Sequence, residues 1–169
     1  DFDDTVLPAI LHPGSVAVPT ALAIAERSVR PVNGKELVTA IAAGYEVGNL
    51  IGTALGGKKF AADGFYVSVP TIFVAVTTAA KLMRLDEEQL ARALALAATQ
   101  AAGLYSATLA KRFNSPKAVL GGTFAADLAA RGLEASNDAI EAEYSGLLGT
   151  FSRAAAAGVI PRDLGKFQF

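Results

Sequence analysis

Apolar residues recur along most of the chain at three- and four-residue intervals, and segments alternating apolar and polar residues are nearly absent. That pattern predicts helices throughout and an all-α domain. Ser15 to Val29, rich in Ala and Leu, predicts the first full helix, with Pro19 tolerable only in about its first turn. Asn33 is a good N-cap for a helix from Gly34 to about Leu55, which Gly56-Gly57 stops. The longest strongly apolar stretch, Val67 to Ala80, carries Ser68, Pro70 and three threonines. It is shorter than the roughly 20 residues that span a bilayer, so it reads as a buried helix, placed at Val69 to Met83. Asp86 then caps a helix from Glu87 to Ala102, with acids in the first turn that complement its dipole and Gly103 at its end. Ser115-Pro116 repeats an N-cap and N1 signal for a helix reaching Ala130, with Gly132 as its C-cap. Asn137 to Leu148 and Phe151 to Ala157 predict two shorter helices.

Within the second helix Gly44, Gly48 and Gly52 fall four residues apart, which puts three positions without side chains on one face. Another helix is expected to pack very close there. In a bilayer the same spacing suggests dimerisation, but Lys35, Glu36, Glu46 and Asn49 on this helix favour a soluble reading.

Composition narrows the classes. The 169 residues suit one domain, 1–169, with a real core. With 18% charged residues and a net charge of -1, nothing points to nucleic acid as a partner. Zero cysteine excludes thiolate sites, and one histidine excludes a multi-histidine zinc site within this chain. No basic-then-apolar signal segment opens the chain, and neither a membrane partner nor any location but the cytoplasm is expected. The start at Asp1 without methionine and the ending LGKFQF predict a piece of something longer.

The first fifteen residues, DFDDTVLPAILHPGS, hold three of the sixteen acids and the single histidine. This segment, GGKKFAADGFYVSVP from Gly56 to Pro70, and KRFNSPK from Lys111 to Lys117 each precede a predicted helix. Helix N-termini present unpaired N–H groups and positive partial charge, so three converging entrances would form a pocket for an anion.

DFDDT with HPGS and a PTALA-type helix, then NGKELVTAIAAGYEV, KLMRLDEEQLARALALAATQAAGL and KRFNSPKAVLGGTFAADLAARG, resemble in that order the helical domain of the MmgE/PrpD family. That family includes 2-methylcitrate dehydratase, cis-aconitate decarboxylase and iminodisuccinate epimerase. The resemblance covers nearly the whole chain and implies the middle of the family's larger helical domain, without its α+β lid. It implies that Asp1, Thr5 and His12 line an active site. It also matches Lys111 to the family's lysine, while Tyr66 and Asn114 stand where the family usually has histidines.

The implied activity is a dehydratase or decarboxylase acting on a small di- or tricarboxylate, with an epimerase on the same scaffold, or a relative binding only a carboxylate or a partner chain, as alternatives. Such chemistry needs a base, an acid for the leaving group or carbanion, and cations that hold carboxylates. The expected catalytic residues are Asp1, His12, Tyr66 and Lys111; Thr5, Ser68 and Asn114 are expected to bind substrate. No metal and no cofactor are expected, and the resemblance implies a homodimer. Simpler roles compete: Asp3 and Asp4 as caps or surface acids, His12 as a turn residue, Tyr66 as a core aromatic, Lys117 as plain surface.

Overall fold

The computed structural model describes residues 3–167; the side chains of Thr108 and Lys111 also lie outside that description. Among the described residues the chain forms α1 (Gly14–Arg27), α2 (Gly34–Ala54), α3 (Lys58–Ala62), α4 (Ser68–Met83), α5 (Glu87–Gln100), a 3₁₀ turn (Tyr105–Ala110), α6 (Lys111–Ala130), α7 (Leu147–Phe151) and α8 (Val159–Asp163). Two isolated bridges, Val6 with Leu11 and Phe65 with Leu104, take the place of any strand. The protein is all-α.

Helix α4 is the axis of the fold, and its sequence explains why. It is apolar on every side, so no face of it suits water, and every residue except Lys81 and Met83 is buried. It packs chiefly against α2 and α6, with α1 and α5 completing the surround. Each fully buried Val or Phe of this helix stabilises the fold by about 1.5–3 kcal/mol relative to exposure.

The glycine face of α2 makes this packing possible. A Cβ on Gly44 would overlap Thr78 Oγ1 and lie 2.8 Å from the Val74 carbonyl oxygen, and one on Gly48 would overlap Val74 Cγ2. A Cβ on Gly52 would lie 2.9 Å from Ala9 Cβ of the N-terminal loop, so the third glycine admits a loop where a helix was expected.

Local signals set several boundaries. Asn33 Oδ1 accepts from the Glu36 N–H at 3.0 Å while Glu36 Oε2 accepts from the Asn33 N–H at 3.1 Å, a reciprocal cap worth about 1 kcal/mol. Asp86 and Gln89 repeat it at 2.8 and 3.1 Å. Glu36 also accepts from Arg84 at 2.5 Å and from Arg30 at 3.2 Å, tying the start of α2 to the end of α4.

Several expectations are corrected. Helix α6 begins at Lys111, fed by the 3₁₀ turn, and Pro116 sits inside it where an N1 position was expected. The bond Pro116 cannot make is the one to the carbonyl of Arg112, an exposed residue of the first turn, where the loss is tolerated. Helix α5 stops at Gln100 because Ala101 turns extended, two residues before Gly103. The 56–70 stretch contains the short helix α3, which buries Phe60.

Residues 137–157 hold only α7. The N–H groups of Leu147 and Leu148 donate to Ala139 and Ile140, at 2.8 and 3.0 Å, folding the chain back on itself where a continuous helix would run straight. Gly146 permits that return, since a Cβ there would lie 2.5 Å from the Ala142 nitrogen.

Candidate active site

Three elements end or turn beside one another at the N-terminal end of α4. The first is the loop before α1. Residues 6 to 11 reverse direction through the bridge between Val6 and Leu11, with N–H···O contacts of 2.9 and 3.3 Å, and Ile10 adopts φ 52°, a left-handed backbone that β-branched residues rarely take. Leu11 is fully buried and anchors the turn. His12 follows it directly.

The second element is the entrance to α4. The Tyr66 N–H donates to the Gly103 carbonyl at 3.1 Å and the Tyr105 N–H to the Gly64 carbonyl at 2.8 Å, knitting residues 64–66 to 103–105. Ser68 Oγ donates to the Ala102 carbonyl at 2.9 Å. Gly103 lies so close that a Cβ there would overlap Ser68 Oγ and sit 3.1 Å from Tyr66 Cβ. The third element is the first turns of α6, which supply Asn114 and Ser115.

His12, Tyr66, Ser68 and Asn114 line one cavity of about 10 Å³, with Ser15, Thr71 and Ser115 adding hydroxyls. That volume is about the space of one water. Through Ser68 it adjoins a hollow of about 310 Å³ lined by Ile72, Gln100, Lys117, Leu120 and Phe124. Through Ser15 and Ser115 it adjoins another of about 430 Å³ between α1 and α6. Four residues singled out in the sequence therefore meet in space.

Their hydrogen bonding is unequal. Asn114 is 9% exposed, and its Nδ2 has no partner among the described residues, an amide donor whose isolation costs about 1–3 kcal/mol. The Ser68 proton is committed to Ala102, so only its lone pairs remain for another group. Thr5 Oγ1 stands 3.2 Å from His12 Nδ1 but is exposed and outside the cavity lining. Tyr66 is buried and tilted against Tyr105, with ring centres 6.3 Å apart. Lys111 opens α6, three residues before Asn114, with its side chain outside the described set; Asp1 lies outside the described residues altogether.

The expected set of three helix entrances becomes two and a helix side, because Asn114 and Ser115 lie within α6. The first N–H groups of α1 are also occupied: that of Gly14 donates to Asp4 Oδ1 at 3.0 Å, and those of Ser15, Val16 and Ala17 donate to the His12 and Pro13 carbonyls. Asp4 thus acts as a cap, as its competing role required. Lys117 departs from the surface role: its Nζ donates to the Ala102 carbonyl at 3.1 Å, the acceptor it shares with Ser68. Ser15, whose hydroxyl donates to the His12 carbonyl at 2.7 Å, and Tyr45 were missed by the sequence reading. HPGS pointed to Ser15, whereas nothing local distinguishes Tyr45.

Among the described residues no group of three or more His, Cys, Asp or Glu is placed to hold a metal ion. None of the helices described is long and apolar enough to cross a membrane.

By fold and site, then, this is a helical domain that gathers an imidazole, a phenol and a buried amide at the end of its central helix. Residues 1–159 match the MmgE/PrpD N-terminal domain, and the chain belongs to that family. It is 29% identical over 160 residues to the cis-aconitate decarboxylase of Aspergillus terreus, covering 90% of this chain and 33% of that protein. It is 30% identical over 165 residues to the cis-aconitate decarboxylase-like protein oryM of Aspergillus oryzae, covering 90% of this chain and 34% of the relative. The chain spans about a third of the length of these relatives, which carry the names of lyases.

Proposed function

We propose that this chain forms one wall of the active site of a lyase that moves a proton beside a carboxylate of a small di- or tricarboxylate. The observation that carries the reading is the meeting of His12, Tyr66 and Asn114 on one polar cavity from three separate elements. The names of the relatives make cis-aconitate the first substrate to test.

The chemistry divides among the residues. Asn114 Nδ2 donates to a substrate carboxylate and so gains the partner it lacks in the protein. His12 exchanges a proton with the reacting carbon. In decarboxylation the bond to the departing carboxylate breaks, its electron pair stays on carbon, and that carbon takes the proton from the imidazolium. In elimination the imidazole removes the proton instead, the electron pair forms the double bond, and the protonated hydroxyl leaves as water. In the elimination the Tyr66 hydroxyl donates the proton with which the departing hydroxyl leaves as water. The roles of Asp1, Thr5 and Lys111 rest on the family resemblance, Lys111 as the cation for a second carboxylate. Lys117 faces the adjoining hollow, where the rest of a substrate larger than the small cavity has room.

The test is turnover of cis-aconitate, followed as CO2 release, and of hydroxylated tricarboxylates, followed as loss of water. His12→Ala should lower kcat by about 10²–10⁴-fold. Unchanged turnover in that variant would sink the reading. Deuterium uptake from solvent with neither product would move the assignment to an epimerase on the same cavity.

A further inference from the structure

His12 has two ring nitrogens, and the structure determines which of them is available. Nδ1 lies 2.8 Å from the main-chain carbonyl oxygen of Asp4. A carbonyl oxygen only accepts, so Nδ1 must carry a hydrogen, and Nε2 is the bare nitrogen of the neutral ring. The Thr5 hydroxyl oxygen, 3.2 Å away, is a second acceptor for the same hydrogen. The Asp3 carboxylate, 3.7 Å from Nδ1, adds negative charge on that side. The carbonyl, the hydroxyl and the carboxylate thus all favour Nδ1–H.

The carbonyl that makes this choice needs to be held in place, and the side chain of the same residue does so. Asp4 Oδ1 and Oδ2 accept from the Gly14 N–H at 3.0 and 3.3 Å, across ten residues of loop. The Tyr45 hydroxyl of α2 hydrogen-bonds the same carboxylate. Gly14 is where the three meet: a Cβ there would lie 2.5 Å from the Tyr45 hydroxyl and 2.6 Å from Asp4 Oδ1.

We propose that Tyr45, through the Asp4 carboxylate, is a positioning residue that holds His12 in the Nδ1–H tautomer and so reserves Nε2 for the substrate proton. Tyr45 touches no reacting atom; it acts through Asp4, and Asp4 through its carbonyl. Burial first, then the hydrogen bond to Asp4 and its charge, push the Tyr45 phenol up to about 12, so it remains a donor from neutral pH to about pH 9. The role of Nε2 as the proton-transfer atom rests on the proposed function; the tautomer does not.

The single histidine makes the test direct, because imidazole nitrogen resonances of this chain come from one residue. Long-range proton–nitrogen correlation spectra of the whole chain at about pH 9, above the ordinary imidazole range, should show a pyrrole-like Nδ1 and a pyridine-like Nε2. In Tyr45→Phe the ratio of Nδ1–H to Nε2–H should fall about tenfold, the effect of one ordinary hydrogen bond. Gly14→Ala, which displaces the hydroxyl and the carboxylate together, should shift it the same way, and melting curves confirm that each variant folds. A wild-type proton on Nε2, or an unchanged ratio in both variants, overturns the inference. In turnover assays Tyr45→Phe should lower kcat with KM little changed. Absence of all carboxylate turnover, with the tautomer as described, overturns the proposed function and leaves the positioning intact.

Discussion

Replacing Gly44 by alanine sets two well-calibrated effects against each other. In an exposed helix the change stabilises by about 1 kcal/mol, since glycine is the poorer helix former. Here the new methyl must occupy space held by Thr78 Oγ1 and lie 2.8 Å from the Val74 carbonyl oxygen. Neither neighbour yields easily, because Thr78 Oγ1 itself donates to that carbonyl at 2.8 Å and both residues are completely buried. Separation of α2 from α4 along the glycine face is the remaining relief, and overpacking of this kind costs about 1–3 kcal/mol or more. A net destabilisation of up to about 2 kcal/mol follows, which for a chain of this size lowers Tm by up to about 8 °C. Thermal melts followed by circular dichroism measure it. Gly34→Ala is the control, since nothing lies within 4 Å of its Cβ position, and it should melt at or slightly above the parent. A Gly44→Ala protein that melts as high as Gly34→Ala would refute the close-approach argument, as would one whose loss is unchanged in a Thr78→Ala background.

Acid should loosen the junction of α2 and α4. The Arg84 hydrogen bond, aided by the Asn33 N–H and Arg30, holds the Glu36 carboxyl at about 2 against an ordinary 4.5. Its folded value is depressed, so its contribution is complete above about 4.5 and lost as pH falls toward 2; Glu36→Gln should flatten the fall of Tm across that window. Asn114→Leu should leave Tm unchanged or raised, because it removes an unpaired buried donor, while carboxylate binding measured by calorimetry disappears; a large stability loss contradicts the description of that amide. Glu46 is buried, and its Oε1 accepts from the Gly165 and Phe167 N–H groups at 2.7 and 3.2 Å. Glu46→Ala should therefore speed hydrogen exchange at Gly165 about 10–100-fold, the loss of a bond to a charged acceptor, and unchanged exchange would show that the end of the chain is held by other contacts.

What the linear pattern revealed was what neighbours along the chain decide. The Asn33 cap, the apolar run of α4 and the four-residue glycine interval each rest on residues within a few turns, and each appears in the fold where expected except at Gly52, which meets the N-terminal loop. Ser115-Pro116 misled because its local chemistry is that of a helix start, whereas the 3₁₀ turn before Lys111 had already begun the helix. The 137–157 region misled for the opposite reason. Its backbone pairs across eight residues at Leu147 and Leu148, and no periodicity encodes that return. The site divides in the same way: His12 and Asn114 stood out by residue type and family motif, but Tyr45 acquires meaning only from Asp4, which the fold brings to it from another element.

Gly103 and Ser68 impose a condition on each other that extends beyond this chain. Any side chain at 103 needs the space of the Ser68 hydroxyl, and that hydroxyl in turn holds the Ala102 carbonyl that Lys117 also contacts. The two positions therefore cannot drift independently over evolutionary time. In a relative built the same way, a side chain at the position of Gly103 must be accompanied by a change at that of Ser68, and the wall between the small polar cavity and the larger hollow would be rebuilt with it.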